Sequence, residues 1–131
     1  LVVSTGGAGA YWMYAHRAAA PAAPAPVEPG IVGFETFVVN LADPGGTRFL
    51  RVTLSLLVEG ENAAAEIEEN AVAKTRVRSA ILELLTQQSA DRLTTADGKA
   101  ALKTAIAERS TEALEHAKVT DVLFTEFVVQ Y

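Results

Sequence analysis

The sequence predicts an α+β fold of order β-β-α-α-β, in which two helices pack on one face of an antiparallel sheet. Three observations support this fold class. Hydrophobic residues alternate with a period of two between residues 37 and 58, and from residue 63 to residue 117 they follow a helical period of about 3.6. A β-branched and aromatic segment then ends the chain. A membrane anchor remnant and an Ala/Pro linker are predicted ahead of this domain.

The N-terminal segment has the composition of a membrane helix. Residues 1–15 carry no charge, but a bilayer span needs roughly twenty residues. We therefore interpret residues 1–17 as the C-terminal part of a transmembrane helix. Tyr11, Trp12 and Tyr14 cluster near its end, where aromatic side chains anchor a helix at the membrane interface. A cleaved signal peptide would end in small residues instead, and an uncharged soluble tail is the other alternative.

An Ala/Pro-rich linker is predicted at residues 18–33. Its main part has the sequence AAAPAAPAPVEPG. Repeated prolines favour extended polyproline II conformers, so the segment is predicted to act as a semi-rigid spacer of roughly 40 Å. This spacer would hold the domain at residues 34–131 above the membrane.

Two runs of alternating hydrophobic residues predict an antiparallel hairpin with one buried face. The turn between them is DPGG at residues 43–46, where Pro and Gly set the backbone geometry. The residues predicted to face the core are Phe37, Val39 and Leu41 in the first run and Leu50, Val52, Leu54, Leu56 and Val58 in the second.

Two helices and a final strand are predicted after the hairpin. The first helix extends from residue 63 to about residue 88, a stretch without Pro or Gly. Residues 89–93 interrupt it, and the second helix starts with Thr94 or Thr95 as its N-cap. Residues 119–131 form the last strand. The apolar stripes of the helices are Val77, Ala80, Ile81, Leu84 and Leu85, and then Leu102, Ala105, Ile106, Ala113 and Leu114.

The composition excludes several classes of function. The net charge is −5 and no basic stripe is present, which excludes nucleic acid as a partner. The chain has no cysteine, so disulfides, thiolate metal sites and cysteine nucleophiles are all absent. Aromatic residues make up only 7% of the sequence, which suits helices packed on a sheet better than an aromatic binding surface.

No group of residues in the sequence has the pattern of a metal site. Glu112 and His116 share a helix face, but the domain contains no second histidine to complete a zinc site. An acidic cluster at the start of the first helix lacks the carboxylate-rich loop with a central glycine that a calcium site uses. This cluster consists of Glu61, Glu66, Glu68 and Glu69. We therefore predict no bound metal and no cofactor.

Candidate catalytic motifs are incomplete. Gly98-Lys99 lacks the upstream glycine and the following Ser or Thr of a phosphate-binding loop. Ser110 and Thr111 are nucleophile types, but consecutive helical residues point in different directions and no glycine elbow accompanies them. The sequence predicts a protein without catalytic residues, and hence not an enzyme.

Charges on the first predicted helix suggest an interface between copies of the chain. Glu68 and Glu69 lie near its start, whereas Arg76 and Arg78 lie further on. Opposite charges on neighbouring copies would meet in a head-to-tail ring. The alternative is that these charges match the helix dipole and keep the surface soluble.

Several segments, taken together, resemble the FliL family of flagellar proteins, and the resemblance covers nearly all of residues 34–130. Ser79, where many members have an acidic residue, and Arg109-Ser110, in place of a common Ile/Asn pair, depart from the family pattern and leave a paralogue with another motor partner open. The matching segments are Phe37–Leu41, Arg48–Val52, Val77–Leu85, Leu93–Lys99 and, most specifically, Val122–Gln130.

The resemblance implies a single-pass bacterial inner-membrane protein at the flagellar basal body, with its C-terminal domain in the periplasm. That domain would be similar to stomatin-type (band 7) domains. It would assemble as a homo-oligomeric ring around the MotA/MotB stator units and promote motility and swarming. Two other classes stay open: a periplasmic ligand-sensing domain, and a peptidoglycan-binding module for which Asp91-Arg92 is the adjacent charged pair.

Overall fold

The computed structural model describes residues 28–131. The predicted anchor, with Tyr11, Trp12 and Tyr14, and most of the predicted linker therefore lie outside the described residues. No helix in the described part is long and apolar enough to cross a membrane. The elements in chain order are β1 (Pro29–Gly33), β2 (Phe37–Asn40), β3 (Phe49–Glu59), α1 (Glu61–Glu69), α2 (Ala71–Thr86), α3 (Ala90–Leu93), α4 (Ala96–Leu114) and β4 (Val119–Gln130).

The strands form one antiparallel sheet in which β3 is the central strand, which confirms the predicted α+β class. β4 pairs with the whole length of β3 on one side. On the other side β1 pairs with residues 55–59 of β3 and β2 pairs with residues 49–52. The predicted inward register of β3 is confirmed, because Leu50, Val52, Leu54, Leu56 and Val58 are all buried.

Residues 29–33, which the sequence analysis assigns to the linker, form the edge strand β1. Pro29 is compatible with this position because an edge strand tolerates a residue that cannot donate a ladder hydrogen bond. Gly30 allows the strand to approach helix α1 closely, since a Cβ atom added there would lie 2.3 Å from the Cβ atom of Ala64. Proline and glycine usually interrupt regular secondary structure. Here Pro29 is tolerated at the sheet edge, and Gly30 is required by the close packing of β1 on α1.

The helical layer contains four helices where the sequence predicts two. The predicted helix at residues 63–88 is divided at Asn70, whose extended backbone ends α1 and whose side chain accepts a hydrogen bond from Ala73 N at 3.1 Å. The predicted interruption at residues 89–93 contains the single-turn helix α3, which Ser89 caps. Thr95, one of the two predicted caps, accepts a hydrogen bond from Gly98 N at 3.0 Å and starts α4.

Strand β4 contains two irregularities that shift its pairing with β3. Thr120 and Thr125 are the extra residues, and such β-bulges increase the local twist of a strand. Their hydroxyl groups donate hydrogen bonds to the carbonyl oxygens of Leu57 at 3.3 Å and Thr53 at 3.2 Å. As a result, the residues of β4 that pair with the inward positions of β3 are irregularly spaced. They are Val119, Val122, Phe124, Phe127 and Val129.

Helices α2 and α4 complete the core above the sheet. Val77, Ile81 and Leu85 of α2 and Leu102 and Ile106 of α4 are almost completely buried. They belong to the two predicted apolar stripes, and burying each large aliphatic side chain stabilises the fold by roughly 1.5–3 kcal/mol. The outer face of the sheet is left without a covering layer within residues 28–131.

Candidate interaction site

The residues considered as metal ligands do not converge in the described structure. Residues 28–131 contain no group of three or more His, Asp or Glu side chains that could hold a metal ion. His116 is exposed and lines a shallow cavity of about 140 Å³ with Glu66 and Asn70. Glu112 lines a separate groove beside Lys118. The predicted shared helix face of Glu112 and His116 is not formed, because α4 ends at Leu114 and His116 lies beyond it. The two side chains line different cavities.

The adjacent hydroxyl residues Ser110 and Thr111 of α4 have different environments. Thr111 donates a hydrogen bond to the carbonyl oxygen of Ala107 at 2.8 Å and accepts one from the backbone N–H of Val119 at 3.0 Å, which joins α4 to the start of β4. Ser110 is fully buried, and its hydroxyl has no hydrogen-bond partner among the described residues. Thr111 shares a groove with Glu108 and Glu112, but its hydroxyl group is bonded to two backbone groups and so joins elements of the fold.

The side chains of Asp91 and Arg92, the adjacent pair considered for a peptidoglycan-binding module, contact different parts of the structure. Both residues belong to the short helix α3. Asp91 lies 3.5 Å from the guanidinium group of Arg48, which also approaches Asp43 at 3.7 Å. Arg92 instead lines a groove with Gln87 and Gln88. The two side chains thus contact different neighbours and do not form one carboxylate-binding pair in a loop.

Glu68 and Arg78, two of the predicted oligomer contacts, have partners within the chain. One carboxylate oxygen of Glu68 accepts a hydrogen bond from the backbone N–H of Gly33 at 2.9 Å, and the other accepts one from Lys74 at 3.2 Å. Arg78 donates to the carbonyl oxygen of Glu35 at 3.1 Å. We call the three side chains Glu68, Lys74 and Arg78 the edge clamp, because Glu68 and Arg78 bind the backbone where β1 passes into β2 and Lys74 binds Glu68.

The edge clamp also covers two aromatic rings. The guanidinium group of Arg78 lies 4.1 Å from the centre of the Phe37 ring, and the ammonium group of Lys74 lies 5.2 Å from that of Phe34. A cation over an aromatic face is attracted by the ring quadrupole. The clamp therefore ties α1 and α2 to the junction of β1 and β2 with both hydrogen bonds and ring contacts.

Glu69 and Arg76, the other two predicted oligomer contacts, are exposed and form no salt bridge within residues 28–131. Both remain available to a neighbouring molecule. The predicted head-to-tail contact stays a prediction, and in this structure it depends on Glu69 and Arg76, because Glu68 and Arg78 are already engaged.

The uncovered sheet face is a surface that the sequence analysis did not identify. A salt bridge of 2.9 Å joins Arg51 to Glu126 near its middle. Around this pair the strands expose large apolar side chains, and exposed apolar surface on a folded domain is typical of an interaction site. The exposed residues are Ile31, Val38, Phe49, Leu123 and Val128. The signal in the sequence was partial, because Val38 and Phe49 occupy outward positions of the two alternating runs and the other three lie outside those runs.

Comparison with known proteins connects this fold to the bacterial flagellum. Residues 31–130 match the family described as "Flagellar basal body-associated protein FliL". The chain is similar to the flagellar protein FliL of Aquifex aeolicus (strain VF5), with 32% identity over 94 residues that cover 72% of this chain and 56% of that relative. It is also similar to the flagellar protein FliL of Escherichia coli (strain K12), with 31% identity over 130 residues, 92% of this chain and 79% of that relative.

Proposed function

The chain belongs to the FliL family of flagellar basal body-associated proteins, and from this premise we propose that it is a single-pass inner-membrane protein that self-associates around the stator units. The family membership confirms the resemblance drawn from the sequence, and with it a non-enzymatic role at the flagellum. The match to residues 31–130, from β1 to the end of β4, is the observation on which the proposal depends.

Anchoring of the domain to a membrane is supported by the N-terminal sequence, whereas the proposed periplasmic side follows from the family resemblance. The uncharged residues 1–15 and the aromatic residues Tyr11, Trp12 and Tyr14 have the pattern of a membrane helix and its interface. A proline-rich spacer follows and would keep the domain near the membrane at a distance from it. The proposed topology puts residues 34–131 on the outer side of the inner membrane.

The proposed partners are other copies of this chain and the MotA/MotB stator proteins. An anchor that confines many copies to one membrane raises their effective concentration, so that weak contacts between domains are sufficient for assembly. The uncovered sheet face and the exposed Glu69 and Arg76 supply surface for such contacts. In this role the domain supports the stator mechanically, and its loss reduces motility and swarming.

The test uses the full chain in the membrane. Deletion of the gene is expected to reduce swarming, and a fluorescent fusion of the full chain is expected to form foci at basal bodies only in cells that make MotA and MotB. A chain truncated after residue 33, which keeps the predicted anchor and linker, is the matched control and should form no foci. Foci that persist without stator proteins would contradict the stator as partner.

A pull-down distinguishes the remaining function classes. The full chain in detergent is expected to retain stator proteins and to leave cell-wall sacculi unbound. Retention of sacculi without stator proteins would favour a peptidoglycan-binding module instead, and would refute the proposed role.

A further inference from the structure

Exposed apolar side chains lie on both outer surfaces of the two-layer domain. On the outer face of the sheet they include Leu123 and Val128 of β4. On the helical layer they are Val72 and Leu82 of α2. Each of these two lies five residues from the buried Val77, which at about 3.6 residues per turn places both on the side of α2 turned away from the core. The domain therefore has apolar surface available to a neighbour on each side.

The outer sheet face carries a polar centre between its apolar residues. Arg51 and Glu126 form a salt bridge there, and their side chains remain 53% and 42% exposed. Both hydrogen bonds to Glu126 involve its Oε1 atom, from Arg51 at 2.9 Å and from Thr53 at 3.4 Å. The Oε2 atom accepts no hydrogen bond from residues 28–131 and can accept one from a neighbouring molecule.

The outward side of α2 carries charges of its own. Arg76 and Glu83 are exposed there, and neither forms a salt bridge within the described residues. Arg76 is four residues after Val72 and six before Leu82, so it lies about 6 Å and about 9 Å from them along the helix axis. The order along α2 is therefore apolar, basic, apolar and acidic.

The sheet face repeats this order with a similar spacing. Glu126 pairs with Thr53, whereas Leu123 pairs with Ser55 and Val128 with Arg51. Each of these rows is two residues of β3 from the next, or about 7 Å at roughly 3.4 Å per residue. Glu126 thus has an apolar side chain on either side of it along the sheet, as Arg76 has along α2, and the two central charges are opposite.

We propose that the outward side of α2 in one copy of this chain packs on the outer sheet face of the next copy, with α2 running in the direction of β4. Arg76 then meets the Oε2 atom of Glu126, and Val72 meets Leu123. Packing a helix on an uncovered sheet face is the usual way for a sheet to bury its second side. The matched charges and spacing favour a second copy as the occupant of this face.

Charge also decides the direction in which α2 lies on the sheet. With α2 along β4, Glu83 lies toward Arg51, which is exposed beside Val128. With α2 reversed, Glu83 would instead lie toward the end of the face where Asp121 is exposed. Like charges across an interface disfavour the reversed direction.

This interface rests on the self-association in the proposed function and deepens it by naming the two surfaces. Each copy presents a different face to each of its two neighbours. Such contacts extend to further copies and close into a ring where the rotation between neighbours permits, which is compatible with assembly around the stator units. The anchor raises the effective concentration of the copies, so a small interface is sufficient. Arg76 here takes Glu126 as its partner in place of Glu69.

Cysteine crosslinking of the membrane-anchored full chain tests the two faces, because the natural sequence has no cysteine. A short bismaleimide is suitable, since the backbones of packed layers lie farther apart than the Cα separation of about 7 Å that limits a disulfide. Cells that make Val72→Cys and Leu123→Cys on separate copies are expected to give a covalent dimer as the main product. Either variant alone is the matched control and should stay monomeric, because each cysteine then faces a copy without one.

A second pair of cysteines tests the direction of α2. Leu82→Cys with Val128→Cys is expected to crosslink, whereas Leu82→Cys with Leu123→Cys should not. All four positions are exposed, so the substitutions leave the core unchanged.

A charge exchange tests the polar centre. Arg51→Glu with Glu126→Arg keeps the salt bridge within the chain but reverses it, and should lower the association constant in detergent by roughly tenfold, because two exposed pairs become repulsive. Arg76→Glu with Glu83→Arg is expected to have the same effect. The chain with all four changes should associate again. Restoration is the decisive readout, since a loss of stability caused by one exchange would not be repaired by the other.

The outcomes separate this interface from self-association itself. An amine-reactive crosslinker that still gives oligomers, while no cysteine pair crosslinks, would overturn the interface and leave self-association standing. A chain that is monomeric with both reagents would overturn both. Dimers of Leu123→Cys alone would indicate a two-fold contact of the sheet faces, and a Leu123→Cys product joined to a different protein would assign the face to that protein. Either result would refute the proposed packing.

Discussion

Replacement of Arg78 by alanine should destabilise the domain because the edge clamp would lose its largest member. Arg78 donates a hydrogen bond of 3.1 Å to the carbonyl oxygen of Glu35, and its contact with the carbonyl oxygen of Thr36, at 3.5 Å, is at the limit of a hydrogen bond. A hydrogen bond to a charged group contributes roughly 1.5 kcal/mol at the low end of its range. The guanidinium group over the Phe37 ring adds about 0.5–1 kcal/mol at a partly exposed site.

The expected loss for Arg78→Ala is therefore about 2 kcal/mol in the free energy of unfolding. Urea denaturation followed by circular dichroism measures it. Arg76→Ala is the matched control on the same helix, because Arg76 is exposed and forms no salt bridge within the described residues, and its effect should stay within about 0.5 kcal/mol. Equal unfolding free energies for the two variants would show that the clamp does not stabilise the sheet edge.

The remaining predictions concern the core. Leu56→Asp, at a position 1% exposed, should unfold the domain by burying an unpaired carboxylate, whereas Ser55→Asp on the outer face should be mild, and equal melting temperatures would contradict the register of β3. Gly98→Ala should cost more than about 2 kcal/mol, because its Cβ atom would lie 1.8 Å from a backbone carbonyl oxygen of α3. Gly33→Ala, whose nearest contact would be 3.8 Å, is its control, and similar urea midpoints for the two would refute the close packing of α3 on α4. Ser110→Ala should leave stability unchanged or raise it by up to about 1 kcal/mol, since its buried hydroxyl has no partner among the described residues, and a marked loss in calorimetry would reveal one.

Sequence periodicity was sufficient to predict the buried faces of the elements in which hydrophobic residues recur at regular spacing. The alternation in β3 predicted its buried face correctly because successive side chains of a strand point to opposite sides of the sheet. The stripes of α2 and α4 were predicted for the equivalent helical reason. Thr95 was among the predicted caps because a side chain capping a helix bonds to a backbone group only three residues away. In each case the deciding interactions lie within a few residues of one another.

The break between α1 and α2 and the bulges of β4 were harder to predict, because the local sequence favours an uninterrupted helix or a regular strand. Asn70 lies in a stretch without Pro or Gly, so its role as a cap that divides two helices was hidden within a helical pattern. The pattern of β4 contains two extra residues, Thr120 and Thr125, whose hydroxyl groups bind β3. Their partners belong to another strand, so no window of β4 alone indicates where the alternation will shift.

The sequence by itself determined the fold class, the inward face of β3 and, through the matching segments, membership of the FliL family. Only the tertiary structure decided that β1 joins the sheet, that Glu68 and Arg78 bind the chain itself, and that two bulges shift the pairing of β4 with β3. The physical reason is distance along the chain. Glu68 meets Gly33 across 35 residues and Arg78 meets Glu35 across 43. Whether a charged side chain is free for a partner therefore depends on which distant backbone group folding brings beside it.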